Sequence, residues 1–328
     1  MKKFLIALLS ILMVLTMVAC GGNTDNGGNK GATKMTMGTG GTQGTYFAYG
    51  NVLSQYIKDK TNISVTAVSS DGSKANIQSI DVGDYQLGTV QSDVMAYAWD
   101  GVRSFKDEGK ITTFRTIAGL YAEAVQLVTT DPNIKSVKDL KGKKVSIGAP
   151  ASGVYFNAVD VLEAAGLTEK DIQAQYQDFG QSADALKDGK IDAAFIVAGA
   201  PTPAIDELCM TNKNARLVPI DGDIAKALME KNKFYSVYEV PANSYKNQDK
   251  AVLTVTVKAT LIVSADASED DVYNLTKTLF DNIEDIKVKH AKGAELSLEN
   301  ATDGLTVVPF HAGAAKYFKE KGIDVATK

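Results

Sequence analysis

The sequence predicts an α/β protein of two lobes with a ligand cleft between them. Short apolar runs rich in β-type residues alternate with helical patterns along the chain, the mark of strands covered by helices. Two stretches, near 115–130 and 245–262, are long and β-rich enough to serve both lobes. Glycine-rich loops recur where predicted strands hand over to predicted helices.

The chain opens on Met1, Lys2 and Lys3, followed by an apolar run from Phe4 to Val18 broken only by Ser10 and Thr16. This run is shorter than the ~20 apolar residues of a spanning helix and fits a secretory leader. The Met17-Val18-Ala19-Cys20 box predicts cleavage at Cys20 and lipidation of its thiol, so residues 1–20 form a lipoprotein signal peptide. The mature protein is then extracytoplasmic and membrane-anchored, which takes more than one acyl chain. Residues 21–33, rich in Gly and Asn, cannot bury enough surface to order and read as a flexible tether.

In the body, 34–37 reads as a strand, 46–58 as a helix, 63–68 as a strand and 74–82 as a helix. Then come a strand at 85–90 and a helix from 93 to 99. The stretch 113–130 is too long for one strand and too β-branched for one helix, and reads as two strands with a crossing between lobes. A strand at 144–147 precedes a helix at 154–165, ended by Gly166. Strands at 173–179 and 191–197 flank a short helix at 182–186. The second crossing lies in 250–264, and 268–290 reads as one long helix capped by Ser268. Lobe 1 is therefore discontinuous, 34–120 plus 250–328, and lobe 2 with the hinge strands takes 121–249. Such a clamshell closes on a ligand.

Composition bounds the function. The chain has 328 residues, 45% hydrophobic and 23% charged, which is globular and large enough for two domains. A net charge of −4 leaves no basic footprint for nucleic acid. With Cys20 used by the anchor, Cys209 stands alone and reads as a small buried apolar residue. His290 and His311 are the only histidines, no Cys/His cluster has metal-ligand spacing and no G-x-S-x-G elbow occurs. No enzyme activity, cofactor or metal is expected.

The strongest local signal is GTGGTQGTYF, Gly38 to Phe47, between a strand and a helix. Glycines allow close backbone approach, and the helix start offers free N–H groups with partial positive charge. No Lys-Ser/Thr follows Gly44, and the glycines do not fall as G-x-G-x-x-G, so neither nucleotide motif fits. GAPASG at 148–153, SSDGSKAN at 69–76 and Gln91 to Asp93 repeat the design at the carboxyl ends of other strands. Four such loops, split between lobes, predict a small anionic solute held by main-chain N–H and hydroxyl groups. Asp93 has two readings, a helix cap or a cleft residue that would favour an ammonium group over a second carboxylate.

Together GTGGTQGTYF, SSDGSKAN, QSD, the ASG loop, DGKIDAAFIVAGAPTPAIDEL at 188–208 and VPFHAGAAKYFKEKG at 308–322 resemble the TAXI-type solute-binding proteins of tripartite ATP-independent periplasmic (TRAP) transporters. The resemblance runs from about residue 34 to 325, with Ala312 where the family usually has proline. It implies a type II periplasmic-binding-protein fold, a monomer that captures glutamate, 2-oxoglutarate or a similar C4–C5 carboxylate, and delivery to TRAP membrane subunits, large and small parts fused. No clamping arginine is implied. Carried over by motif, the implied contacts are Gly40, Gly41, Thr42, Tyr46, Ser73, Asn76 and Gln91, then Ser152, Gly153 and Val154, with Gln181 and Gly199 added. Rival readings are a receptor lipoprotein of an ATP-driven importer for a thiamine-precursor-like or sulfonate ligand, a surface antigen or adhesin, and an exported enzyme.

Overall fold

The computed structural model describes residues 32–220 and 222–328. The leader, the Cys20 lipidation site and all but the last two tether residues lie outside the described residues.

The chain winds βα units from each end of one mixed sheet. On the first side, β1 (Thr33–Gly38), α1 (Thr45–Lys60), β2 (Ile63–Val68), α2 (Ser73–Asp81), β3 (Leu87–Gln91) and α3 (Ser92–Asp100) follow one another. β4 (Phe114–Thr129) then leads to β5 (Lys144–Ser146), α4 (Gly153–Ala164), β6 (Gln173–Gln175), α5 (Phe179–Lys187) and β7 (Ala193–Ala198). Next come α6 (Pro203–Thr211), β8 (Arg216–Val218), α7 (Gly222–Lys231) and β9 (Ser236–Val240). β10 (Val252–Ser264) returns the chain to the first side. There α8 (Glu269–Asp281), α9 (Ile283–Lys287), α10 (Leu298–Thr302) and α11 (Ala312–Glu320) close the fold.

The sheet order is β2-β1-β3-β10-β4-β7-β5-β6, with β8 on β4 and β9 on β10. Strands β2, β1 and β3 are parallel, as are β7, β5 and β6, while β10 and β4 run antiparallel to their neighbours. The sheet is therefore mixed at its centre rather than parallel throughout. β4 pairs with β10 from Phe114 to Ala124 and with β7 from Ala124 to Thr129. β10 pairs with β3 at one end and with β9 at the other. Each long strand thus belongs to both sides. One buried apolar cluster draws on residues from 35 to 121 and from 259 to 318, and the other two draw on residues from 124 to 257.

Several elements differ from the sequence reading. β4 is one continuous strand, not two. Register shifts near Ala259/Thr260 and Leu261/Ile262 in its pairing with β10 absorb the bend instead. β6 stops early because Asp178 turns out of the strand to cap α5, its carboxylate accepting from Gln181 N at 2.8 Å. The long helix predicted over 268–290 breaks at Asn282, whose φ is −125° and ψ 30°. Its start is as expected: Ser268 Oγ accepts from Asp271 N, and three acids sit in the first turn.

The HAGAAKYFKE segment explains itself by packing. His311 caps α11, its Nδ1 accepting from Gly313 N at 3.2 Å. A Cβ on Gly313 would stand 2.3 Å from the Glu269 carbonyl oxygen and 2.7 Å from Tyr273 N, so α11 rests on the backbone of α8. Gly313→Ala is expected to cost about 1–3 kcal/mol through this overlap, read as a lower urea midpoint with unchanged slope. Ala312 is the first residue of α11, a position where proline would also fit.

Candidate ligand cleft

Helix starts build a cavity at the strand ends, and the acids Asp71, Glu123 and Asp178 also line it. Gly44 precedes α1, Gly72 precedes α2, Ser152 precedes α4 and Asp178 precedes α5, and all four line the same space. Each follows a strand, so the strand ends carry the four helix dipoles to one point. An α-helix leaves its first N–H groups without intrahelical partners. Gly44 and Gly72 have no side chain to cap them, and neither helix has an acid in its first turn. At Gly72 the φ of +105° requires glycine. Ser152 Oγ accepts from Tyr155 N at 3.4 Å, and Gly153 and Val154 line the cavity beside it.

The cavity encloses about 100 Å³. That is room for about seven to ten water-sized bodies, a molecule of about ten non-hydrogen atoms.

Contacts from both sides of the sheet hold the walls together. Ala75 N donates to Ala151 O at 3.3 Å, Ala204 N to Gln43 O at 3.2 Å, and Thr45 Oγ1 to Gly199 O at 2.9 Å. Further out, Asn157 Nδ2 donates to Asp93 Oδ2 at 3.1 Å and to the Tyr235 hydroxyl at 2.7 Å. The Tyr235 hydroxyl donates to Asp160 Oδ2, and Arg103 Nη2 pairs with Asp160 Oδ1 at 2.5 Å. Asn232 Nδ2 donates to the Tyr97 hydroxyl at 2.6 Å. The arrangement is a closed cleft.

The structure brings Gly40, Gly41, Tyr46, Ser73, Gln91, Ser152, Gly153 and Val154 to the cavity wall. Five other expected contacts lie outside it. Thr42 is exposed at the top of its loop. Asn76 is fully buried as a loop fastener: its amide donates to Thr39 O at 2.7 Å and Thr89 O at 2.8 Å, and its Oδ1 accepts from Ser70. Asp93 is fully buried behind the wall, its carboxylate turned to Asn157. Gln181 is exposed and closes the capping box with Asp178. Gly199 exists for clearance, since a Cβ there would meet the Lys292 side chain at 2.8 Å and the Tyr121 ring at 3.0 Å.

Glu123 escaped the sequence reading altogether. It sits in β4, 1% exposed, and lines the cavity with the Tyr46 hydroxyl donating to Oε2 at 2.7 Å. Burial pushes its carboxyl up to about 8; the bond from Tyr46 lowers it and nearby Asp93 raises it further. Burial holds the Tyr46 hydroxyl protonated, well above the usual tyrosine range, and Glu123 adds to the effect. The available signal was the one acid of this strand, set between Ala122 and Ala124 in its buried stretch, an arrangement that rarely occurs without a task. Asp178, Phe179 and Gln177 were missed as well, because 173–179 was read as strand. Among the described residues, no lysine or arginine lines the cavity.

Comparison with known proteins agrees with this architecture. The model of the NMT1-like family matches residues 37–322. The chain belongs to the NMT1-like family. Two solved structures share the fold of this NMT1-like chain. A protein from Bordetella bronchiseptica RB50 is 16% identical, with a TM-score of 0.52, over 90% of this chain and 84% of its own. The binding-protein component of an ABC phosphonate transporter from Pseudomonas aeruginosa is 10% identical, with a TM-score of 0.51, over 80% of this chain and 79% of its own. The α/β periplasmic-binding-protein architecture expected from the sequence is thereby found.

Proposed function

We propose that this chain is an extracytoplasmic solute-binding lipoprotein that captures a small organic acid, glutamate, 2-oxoglutarate or a similar C4–C5 carboxylate, and delivers it to a TRAP membrane permease. The convergence of four helix N-termini on one cavity of small-molecule size, those of α1 and α2 without any side-chain cap, carries the reading. Such ends favour an anion without any cationic side chain, and charge-assisted hydrogen bonds from N–H to carboxylate are worth roughly 1.5–3 kcal/mol each. Binding without chemistry fits the histidines. His290 Nδ1 accepts from Lys292 N, and His311 caps α11 and bonds Ala267 O, so both serve turns away from the cavity. Closure is then a population shift toward the form the permease meets.

The expected result is a ligand-dependent rise in melting temperature. At about 100 times Kd the ligand adds about 2.7 kcal/mol, a shift on the order of 4 °C for a chain of this size. A flat response to a broad panel of organic acids and amino acids overturns the reading. The second reading, a receptor for an ATP-driven importer, is favoured by the likeness to the phosphonate-transporter component. An ATPase gene beside this one supports it, and a gene for fused membrane subunits supports TRAP.

A further inference from the structure

The polar contacts that join α3 to the other side of the sheet form a cluster apart from the cavity. Asp93, Tyr97 and Arg103 come from the first side, Asn157 and Asp160 from α4, and Asn232 and Tyr235 from the link between α7 and β9. None of the seven lines the cavity, so the cluster can bear on closure without touching a guest. Arg103 stands on the solvent side of the cluster, its guanidinium on Asp160 and over the Tyr97 ring at 5.2 Å. Its φ of 50° lies in the left-handed region, a conformation that persists where surrounding contacts hold it. Asp93 is at the centre, fully buried, and it takes Asn157 Nδ2 across the junction. Asn157 Oδ1 is buried with no donor among the described residues, and no cation answers Asp93. The groups that face Asp93 are the acids Asp160 of α4 and Glu123 of β4, with the Tyr97 and Tyr235 hydroxyls, while Arg103 is engaged by Asp160. Closing the two sides therefore strips water from a carboxyl that meets two acids and no base.

We propose that this cluster is a proton-operated latch: the two sides close with Asp93 protonated against Asn157, and they part when Asp93 gives its proton to solvent. The sign follows from burial. In the closed form the Asp93 carboxyl is pushed up to about 7, whereas an aspartate in water titrates near 3.9. The closed form holds the proton over the range between, so acid favours closure and alkali favours opening. Glu123, buried in the closed form as well, acts in the same direction. The device works whichever solute fills the cavity. A guest that needs closure is held more tightly at pH 5 than at pH 8, and its capture takes up a proton.

The test is small-angle X-ray scattering of the mature protein, with no solute added, from pH 5 to pH 8. The expected result is a compact form at pH 5 and a larger radius of gyration at pH 8, as the ratio of closed to open molecules falls about 10- to 100-fold. Asp93→Asn keeps the shape of the neutral acid and is expected to hold that ratio at least about tenfold above wild type at pH 8. Arg103→Gln removes the one cation of the cluster from its solvent side and is expected to open at a lower pH than wild type. Wild type and Arg103→Gln decide the matter if Asp93→Asn does not fold. A radius that is the same at both ends of the range, an Asp93→Asn protein that opens as wild type does, or an Arg103→Gln protein that opens at the wild-type pH overturns the latch. Each of these leaves the solute-binding reading standing, since that reading is decided by the thermal shift with organic acids.

Discussion

Gly153→Val is expected to abolish the ligand-induced rise in melting temperature while leaving the ligand-free protein folded. Gly153 opens α4 on one wall, and a Cβ there would stand 1.7 Å from Gln91 Oε1 and 2.4 Å from its Cδ on the other. No real contact is that short, so one wall must move. Gln91 is 2% exposed and lines the cavity. Its displaced amide therefore occupies guest volume, or the two walls part and the helix ends no longer converge. Either outcome removes binding. The fold survives because residue 153 has ordinary helical backbone and valine in a first turn costs only a few tenths of a kcal/mol. Thermal melts with and without about 100 Kd of ligand check this, with circular dichroism as the folding control. A full ligand shift in the variant removes the α4 start from the site.

The part of the site that was legible in the sequence is the part governed by local rules. Gly40, Gly41, Tyr46, Ser73, Ser152 and Gly153 sit in strand-to-helix loops, and the loop glycines and helix starts announce themselves within ten residues. Long-range geometry was not legible. Asp93 and Asn157 are 64 positions apart and meet only because the two sides of the sheet close on one another. Asn76 looked like a contact because it shares a loop with Ser73, yet its amide is spent on Thr39 and Thr89. Glu123 is placed by register: the side chain points to the cavity only because β4 pairs with β10 and β7 as it does. The same limit explains β4 itself. Length and β-branching implied a crossing, but whether one strand could bend across both sides depended on irregular pairing with β10, which no local pattern encodes.

Stability of the ligand-free protein is expected to fall as pH rises from about 5 to about 8, and Asp93→Asn is expected to flatten that fall. Burial pushes the Asp93 carboxyl up to about 7; the Val94 N–H lowers it, Asp160 raises it and Asn157 lowers it. Tyr97 and Tyr235 flank the same group and carry no charge in this range, and Arg103 answers Asp160 rather than Asp93. An unfolded aspartate titrates near 3.9. Between about 4 and 7 the folded chain therefore holds a proton that the unfolded chain has released. More protons on the native state means stability that is present at low pH and lost as pH climbs through the folded value. A separation of about three units corresponds to at most about 4 kcal/mol. Glu123, pushed up to about 8, adds the same sign over a window ending one unit higher. Asparagine at 93 mimics the neutral acid in shape, can still accept from Asn157 and has nothing to ionise. The variant should match wild type near pH 4 and exceed it increasingly above that, by several degrees in melting temperature near pH 8. It should also draw the Glu123 carboxyl downward, since Asp93 is one of the groups holding it up. Melts of both proteins across pH 4–8 decide the point. A flat wild-type profile, or a variant weakened equally at every pH, would mean that Asp93 is ionised in the closed cleft and that its bond to Asn157 is a charged latch.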